Sequence, residues 1–412
     1  MHVAINAHLL AHTRTFRRAG VSNYVEALLI HLGEIDRHNQ YTVYTTRGLD
    51  SAVLRLPPNF RVRPSRLPTI NPRVRIPWEQ ALAPALLRLS RADVYHGVLN
   101  VVPLFCPVPS VVTIHDLSAF LFPQTFRRVN RIYTRWAIRV AARRARYLLA
   151  VSEFTKSEIV RWLHVPPERI VVTPNAADAR FAPPDPATLS AFRRRVGLPD
   201  RFILFLGTLE PRKNLTLLLD AYARIARDVD APLIIGGAKG WLYDPILARA
   251  EQLGLGDRLR FVGYIDQEDQ ALWYAAATIF VFPSLYEGFG MPPLEAMACG
   301  TPVIVSNSSS LRGGGSNGRT PRSGGSAHRA ANRRRRAGGG DAAADLRCGI
   351  ACRTARPRAG ARALLLLAHH GGANIGSVPG SGAWIRQEAR GKRMTGRCRA
   401  RRDRAPRRRA RM

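Results

Sequence analysis

Cysteine is scarce in this chain: five in 412 residues, at Cys106, Cys299, Cys348, Cys352 and Cys398. Only two precede residue 311, which suits a reducing compartment and excludes a disulfide framework. Cys348-x-x-x-Cys352 with His369 and His370 matches no standard zinc spacing, and neither HExxH nor GxxxxGK[ST] occurs, so no metal site is expected. Long apolar runs are missing as well. None reaches the ~18 residues that would cross a bilayer, and MHVAINAHLL has no basic leader region or cleavage site. These absences point to a cytoplasmic protein, at most peripheral to the inner face of a membrane.

Acidic residues are few, 29 against 63 Lys+Arg, for a net charge of +34. The imbalance is local: residues 312–412 hold 26 of the basic residues and 4 of the acidic ones, leaving +12 on residues 1–311. Taken whole, such a charge suggests nucleic acid. An Arg-rich tail that binds nucleic acid is therefore the alternative reading. Against it, the tail has one lysine, Lys392, and one aromatic, Trp384, where an RNA-binding segment interleaves stacking rings. No specific nucleic-acid partner is expected.

What is present up to Leu311 is an alternation of short apolar runs with helical patterns. HVAINA, YTVYTT, ADVYHG, SVVTIHD and YLLAVS read as strands of a first parallel sheet. After the proline-rich RFAPPDPATLSAF (180–192), read as a linker or domain edge, come FILFLG, PLIIGG, RLRFVG, IFVFPS and TPVIVS. NLTLLLDAYARIA and DQALWYAAA separate several of these as helices. Two doubly wound α/β domains are expected, 1–185 and 186–311, with 312–412 a basic low-complexity tail. Ligands of such sheets sit beyond the carboxyl ends of the strands.

Chemistry concentrates there in the second series. TLEPRKN follows FILFLG and places Arg212 and Lys213 ahead of a helix, either as a solvated charge pair or as a diphosphate site. LYEGFGMPPLEAMACG follows IFVFPS. Gly288 and Gly290 let backbone come close to a ligand, and Pro292 and Pro293 fit a first helical turn. Glu287 and Glu295 either cap a turn and a helix or accept hydrogen bonds from vicinal sugar hydroxyls. Asp228-Val229-Asp230 spells a metal-binding D-x-D, but it precedes PLIIGG, at the wrong end of the sheet.

GTLEPRKNL, GGAKGWLYD, VGYIDQEDQALWYAAATIFVFPSLYEGFGMPPLEAMACGTPVIVSN, VTIHDLS and VSEFTKSEI together resemble the family 4 retaining glycosyltransferases of the GT-B fold, most of all the mannosyltransferase-like members. The resemblance runs from about residue 1 to Leu311. It implies two Rossmann-like domains facing across a cleft, the second incomplete here. A nucleoside-diphosphate sugar, GDP-mannose by the mannosyltransferase-like motifs, is the implied donor substrate, with no cofactor and with a glycan or lipid-linked acceptor. Glu287 and Glu295 match the family's E-x7-E motif: Glu287 would face the donor sugar as a catalytic residue and Glu295 would hold the ribose. Lys213 matches the diphosphate-binding lysine. Thr208 stands where many members carry an arginine, so Arg212 is the candidate second cation. RRAGVSNYVEALL matches the Gly-rich loop, with Gly20 near the donor phosphate. His115, of His115-Asp116, would lie at the donor sugar as the second catalytic residue. Phe289, between Gly288 and Gly290, belongs to the same donor-binding block.

TFRRVNRIYTRWAIRVAARRARYLL (125–149) carries arginines at helical spacing with Ile, Trp and Val on another face. It reads either as an ordinary helix with a solvated Arg face or as a rest on an anionic membrane. Beyond Leu311 the family's acid-containing turn, last strand and closing helices are not visible. Excess Arg, Ala and Gly is what GC-rich DNA gives out of frame. One encoding of residues 311–326, with a single G deleted, reads LREVVAMAALLVAGDP, the turn, strand and loop the family shows next. A frameshift after about Leu311 is expected. It would leave a bare sheet edge, low stability and weak or absent activity.

Overall fold

The computed structural model describes residues 1–10, 20–49, 54–126 and 128–313, and the backbone of 348–351. The expected tail lies outside the described residues except at its first two positions and at 348–351. So do residues 11–19, which include most of the residues leading to Gly20.

The first sheet is built from β1 (His2–Ala7), β2 (Gln40–Thr45), β3 (Phe60–Pro64), β4 (Val94–Gly97), β5 (Ser110–Ile114), β6 (Tyr147–Ala150) and β7 (Ile170–Val172). All its pairings are parallel, in the order β3-β2-β1-β4-β5-β6-β7. Between the strands run α1 (Gly20–Ile35), α2 (Pro72–Pro77), a π-turn at Trp78–Leu82, α3 (Ala83–Ser90), α4 (Ser118–Leu121), α5 (Arg128–Arg144) and α6 (Glu153–Leu163). Strands β3 and β7 have no counterpart among the runs read from the sequence. FRVRP alternates arginine with apolar residues and ends in proline, and IVV is only three residues long.

The second sheet comprises β8 (Ile203–Leu206), β9 (Leu233–Gly236), β10 (Leu259–Gly263), β11 (Ile279–Phe282), β12 (Val303–Ser306) and β13 (Cys348–Ala351), in the order β10-β9-β8-β11-β12-β13. Its helices are α7 (Pro186–Val196), α8 (Leu215–Ile225), α9 (Asp244–Gln252), α10 (Gln267–Ala276) and α11 (Met291–Ala298). Every residue of β8, β11 and β12 is buried, as expected of central parallel strands covered on both faces. Helix α7 occupies the second half of the stretch read as a linker. Asp185 caps it through the Thr188 amide, and Gly197, at φ +65°, ends it.

One expectation is corrected. The edge of β12 is not bare: Cys348–Ala351 pairs with it antiparallel, Val303 opposite Ala351 through Ser306 opposite Cys348. An exposed parallel edge offers unpaired N–H and C=O groups that an extended segment from elsewhere in the chain can satisfy. The strand that covers it runs opposite to all the others in that sheet.

Helix α5 divides its apolar residues between two sides. Ala137, Ile138, Val140, Ala141 and Ala142 are buried, but Val129, Ile132 and Trp136 point outward, Val129 77% exposed. The apolar residues of its first half therefore lie on the outside with the arginines. Arg135 and Arg139 stack over the Phe120 ring at 5.1 and 5.0 Å.

Candidate active site

The strand order of the second sheet reverses between β8 and β11, so the loops leaving these two strands meet. After β8 the chain passes Glu210 and tightens into a 3-10 turn, Pro211–Lys213. Asn214, at φ +58°, then redirects it into α8. After β11 comes the loop from Pro283 to Gly290. Glu287 sits where the two meet. Its Oε1 accepts hydrogen bonds from Lys213 Nζ and Ser284 Oγ, each at 2.6 Å, and its Oε2 lies 3.1 Å from Arg212 Nη1. Arg212 also donates to the Tyr286 carbonyl at 2.6 Å and to Glu210 Oε1 at 2.7 Å. Two carboxylates and two cations thus form one neutral, buried cluster. Lys213 is additionally 4.9 Å from the Phe282 ring centroid.

The electrostatics follow from this arrangement. Burial opposes ionisation of Glu287, but Lys213 and Arg212 outweigh it and hold the carboxyl down at about 2. Burial lowers the Lys213 ammonium, with Glu287 acting against that fall. Burial also works against the charge on Arg212, yet Glu287 and Glu210 drive its pKa upward. Lys213 and Arg212, placed by sequence at a diphosphate, are both turned onto Glu287.

The loop is held from below by Ser309 and Ser310. Ser309 Oγ accepts from the Glu287 amide at 3.0 Å. Ser310 Oγ lies within hydrogen-bond distance of the Glu287 and Phe289 carbonyls, at 2.9 and 2.8 Å. Phe289 is buried. Gly290 has φ +97°, and a Cβ on it would fall 2.5 Å from Leu311 Cδ2, so glycine is required there. Helix α11 starts next, but Pro292 and Pro293 lack N–H groups. Among the first three residues of α11 only Met291 has an N–H. Glu295 lies on α11 and accepts from Tyr274 Oη at 2.9 Å. Its carboxyl is raised, burial being the main cause.

In the first domain His115 follows β5. Its Nε2 donates to the Val98 carbonyl at 2.8 Å, leaving Nδ1 as the acceptor of a neutral ring. Burial lowers its pKa, so the neutral form prevails. The Tyr24 ring meets it edge-on, centroids 4.7 Å apart, and Tyr24 Oη and His96 Nε2 both contact Thr113 Oγ1. Gly20 opens α1, and among the described residues nothing lies within 4 Å of the position a Cβ would take. Gly288 is the opposite case: a Cβ there would stand 1.7 Å from the His115 carbonyl oxygen. His115 and the Glu287 loop, remote in sequence, are thereby brought against each other. The sequence reading did not foresee the role of Glu210, Ser309 or Ser310. Glu210 lies inside the motif that was quoted, and only its pairing with Arg212 shows what it does.

Family models match the described domains one each: Glycosyltransferase Family 4 over residues 18–181 and Glycosyl transferases group 1 over residues 190–314. O-antigen chain mannosyltransferase B of Escherichia coli is 37% identical over 238 residues, 57% of this chain and 61% of that protein. The chain thus spans less than two thirds of that relative's length. A sucrose-phosphate synthase from Thermosynechococcus elongatus superposes with a TM-score of 0.61 at 24% identity, covering 76% of this chain and 82% of that one. An Anabaena protein, HepE, crystallised with UDP and glucose, superposes at 0.56 with 20% identity over the same shares. Both share the fold of two facing Rossmann-like domains.

Proposed function

Since residues 18–181 and 190–314 belong to the family 4, group 1 glycosyltransferases of GT-B fold, we propose that this chain is built to transfer a hexose, mannose first, from a nucleoside-diphosphate sugar to a glycan or lipid-linked acceptor with retention. The observation that carries the reading is the buried carboxylate Glu287 between Lys213 and Arg212, at the point where the β8 and β11 loops converge. A diphosphate entering there competes with Glu287 for Lys213. The released carboxylate then faces the sugar. The bond from the anomeric carbon to the diphosphate oxygen breaks with its electron pair going to the diphosphate, whose charge the cations offset. The acceptor oxygen bonds to the same carbon, on the face the diphosphate leaves, and its proton passes to the departing diphosphate oxygen. Glu295 is assigned to the ribose hydroxyls, and no cofactor is assigned.

Incubation of the full chain with GDP-mannose, and with UDP-glucose for comparison, tests this by release of nucleoside diphosphate and labelling of a lipid-linked or oligosaccharide acceptor. Binding of a sugar nucleotide that Lys213→Met abolishes is expected. No binding by either the chain as written or its frame-restored form overturns the reading.

The group 1 match ends at residue 314, three residues after Leu311, where the composition changes. This supports the view that residues 312–412 are read out of frame and that the chain as written is weakly active or inactive. Sequencing the gene across the codons for 300–412 decides it. A peripheral contact with an anionic membrane is assigned to α5, because Val129, Ile132 and Trp136 are exposed beside Arg128, Arg139 and Arg143. Flotation with phosphatidylglycerol vesicles at low salt tests it. Failure of the chain to float removes the contact.

A further inference from the structure

VSEFTKSE, which opens α6, was recognisable in the sequence but has no part in the chemistry above. Its side chains nevertheless reach the acid loop. Ser152 Oγ donates to the Gly288 carbonyl at 2.6 Å and Thr155 Oγ1 donates to the same oxygen at 3.0 Å. Ser152 also caps α6 by accepting from the Thr155 amide. The Gly288 carbonyl therefore lies at the positive end of an 11-residue helix, where an oxygen is favoured. On the other side of Glu287, Tyr286 Oη accepts from the Leu117 amide at 3.0 Å, and its ring meets Phe122 and Phe154 at 5.5 and 5.9 Å. Leu117 and Thr155 are both fully buried.

We propose that Thr155 is a positioning residue for Glu287, acting across the domain boundary through the Gly288 carbonyl, with Tyr286 and the Leu117 amide as the second half of the same clasp. Both neighbours of Glu287 are bonded to the first domain, whereas the Glu287 side chain is bonded to the second. The Glu287 backbone keeps its place beside the His115 carbonyl, which Gly288 abuts, only while the clasp is shut. Separation of the domains breaks bonds at residues 286 and 288 and releases the backbone that aims Glu287. Where the clasp bears on turnover, the inference rests on the transferase reading; where it bears on geometry, it does not.

The Leu117 amide gives a direct readout, because its hydrogen-bond acceptor belongs to the other domain. Hydrogen exchange is followed by mass spectrometry on the full chain and on Thr155→Val, Thr155→Ser and Tyr286→Phe. Valine keeps the shape of threonine but cannot donate. Exchange at Leu117 and across residues 285–290 is expected to be about fivefold faster in Thr155→Val, which corresponds to about 1 kcal/mol for one hydrogen bond. Thr155→Ser, which retains the hydroxyl, is expected to exchange like the unmodified chain. Amides of β2, remote from the boundary, report global opening and are expected to stay unchanged. If they too accelerate, Thr155→Val has lost its fold and Tyr286→Phe decides, since it removes only the acceptor for Leu117. Unchanged exchange at Leu117 and 285–290 in a folded Thr155→Val, or in Tyr286→Phe, overturns the clasp. Where sugar transfer is measurable, Thr155→Val is expected to lower kcat about fivefold with donor KM unchanged. Absence of transfer in the unmodified chain counts against the transferase reading and leaves the exchange result standing.

Discussion

Replacing Glu287 by glutamine removes one charge from a buried cluster and keeps the shape. Its carboxyl, held at about 2 against an ordinary 4.5, is bound more tightly as an anion in the folded chain than in the unfolded one. The difference amounts to about 3 kcal/mol at neutral pH. An independent expectation, the ~3–5 kcal/mol cost of breaking a buried ion pair by removing one partner, agrees. After the substitution Arg212 still has Glu210, so the uncompensated charge falls on Lys213, whose ammonium burial already disfavours. The folded carboxyl is depressed. Its stabilisation is therefore complete above the ordinary value of 4.5 and is lost as pH falls through about 2. Urea denaturation of the full chain should show Glu287→Gln about 3 kcal/mol less stable at pH 7, with the two proteins converging as the pH is lowered below 4.5. Lys213→Met in the Glu287→Gln background should restore part of the loss, because an apolar stem replaces an unpaired ammonium. A difference under about 0.5 kcal/mol at pH 7 that does not change with pH would refute the reasoning, since a solvated surface pair gives that result.

Other expectations are more local. His96 is buried, and burial, reinforced by His115, lowers its pKa to about 4. The unfolded chain thus takes up a proton first as pH falls below 6.5, and the first domain should lose about 2 kcal/mol between pH 7 and pH 5, visible as a lower urea midpoint. Gly288→Ala drives a methyl against the His115 backbone oxygen, so a loss of about 1–3 kcal/mol and a lower melting temperature are expected. An unchanged melting temperature would mean that the two loops do not touch. Glu295→Gln should raise donor KM with little change in stability. An unaltered donor KM removes Glu295 from the ribose.

How much of this was legible in the sequence depended on how far apart the interacting residues stand. The apolar runs of β8, β9, β11 and β12 announced themselves because strands buried on both faces need no partner to identify them. The turn residues after β8 and β11 then marked the ligand edge. FRVRP did not, because a strand with solvent on one side and arginine at alternate positions carries little apolar signal. Arg212 and Lys213 were visible as a charge pair, but adjacent charges say nothing of which way their side chains turn. Only the meeting of the β8 and β11 loops shows both on Glu287. In 125–149 helical spacing separated arginines from Ile, Trp and Val but left a packed and a membrane-resting helix both open, because spacing fixes a face and not its direction. Val129, Ile132 and Trp136 are exposed while Ile138 and Val140 are buried.

The clasp lay furthest from reach, since Thr155 and Gly288 stand 133 positions apart and belong to different domains. Its logic is nevertheless physical. Within the second domain the loop that carries the buried Glu287 carboxylate is bonded through Lys213, Arg212, Ser309 and Ser310. That Tyr286 and Gly288 are nonetheless bonded to the first domain means that the same few residues bear both the charge cluster and the domain contact. Any change that parts the domains must then be felt at Glu287. The serines that support the loop are also the last residues before the composition changes. The second domain's charge cluster thus lies wholly within the group 1 match, which ends at residue 314.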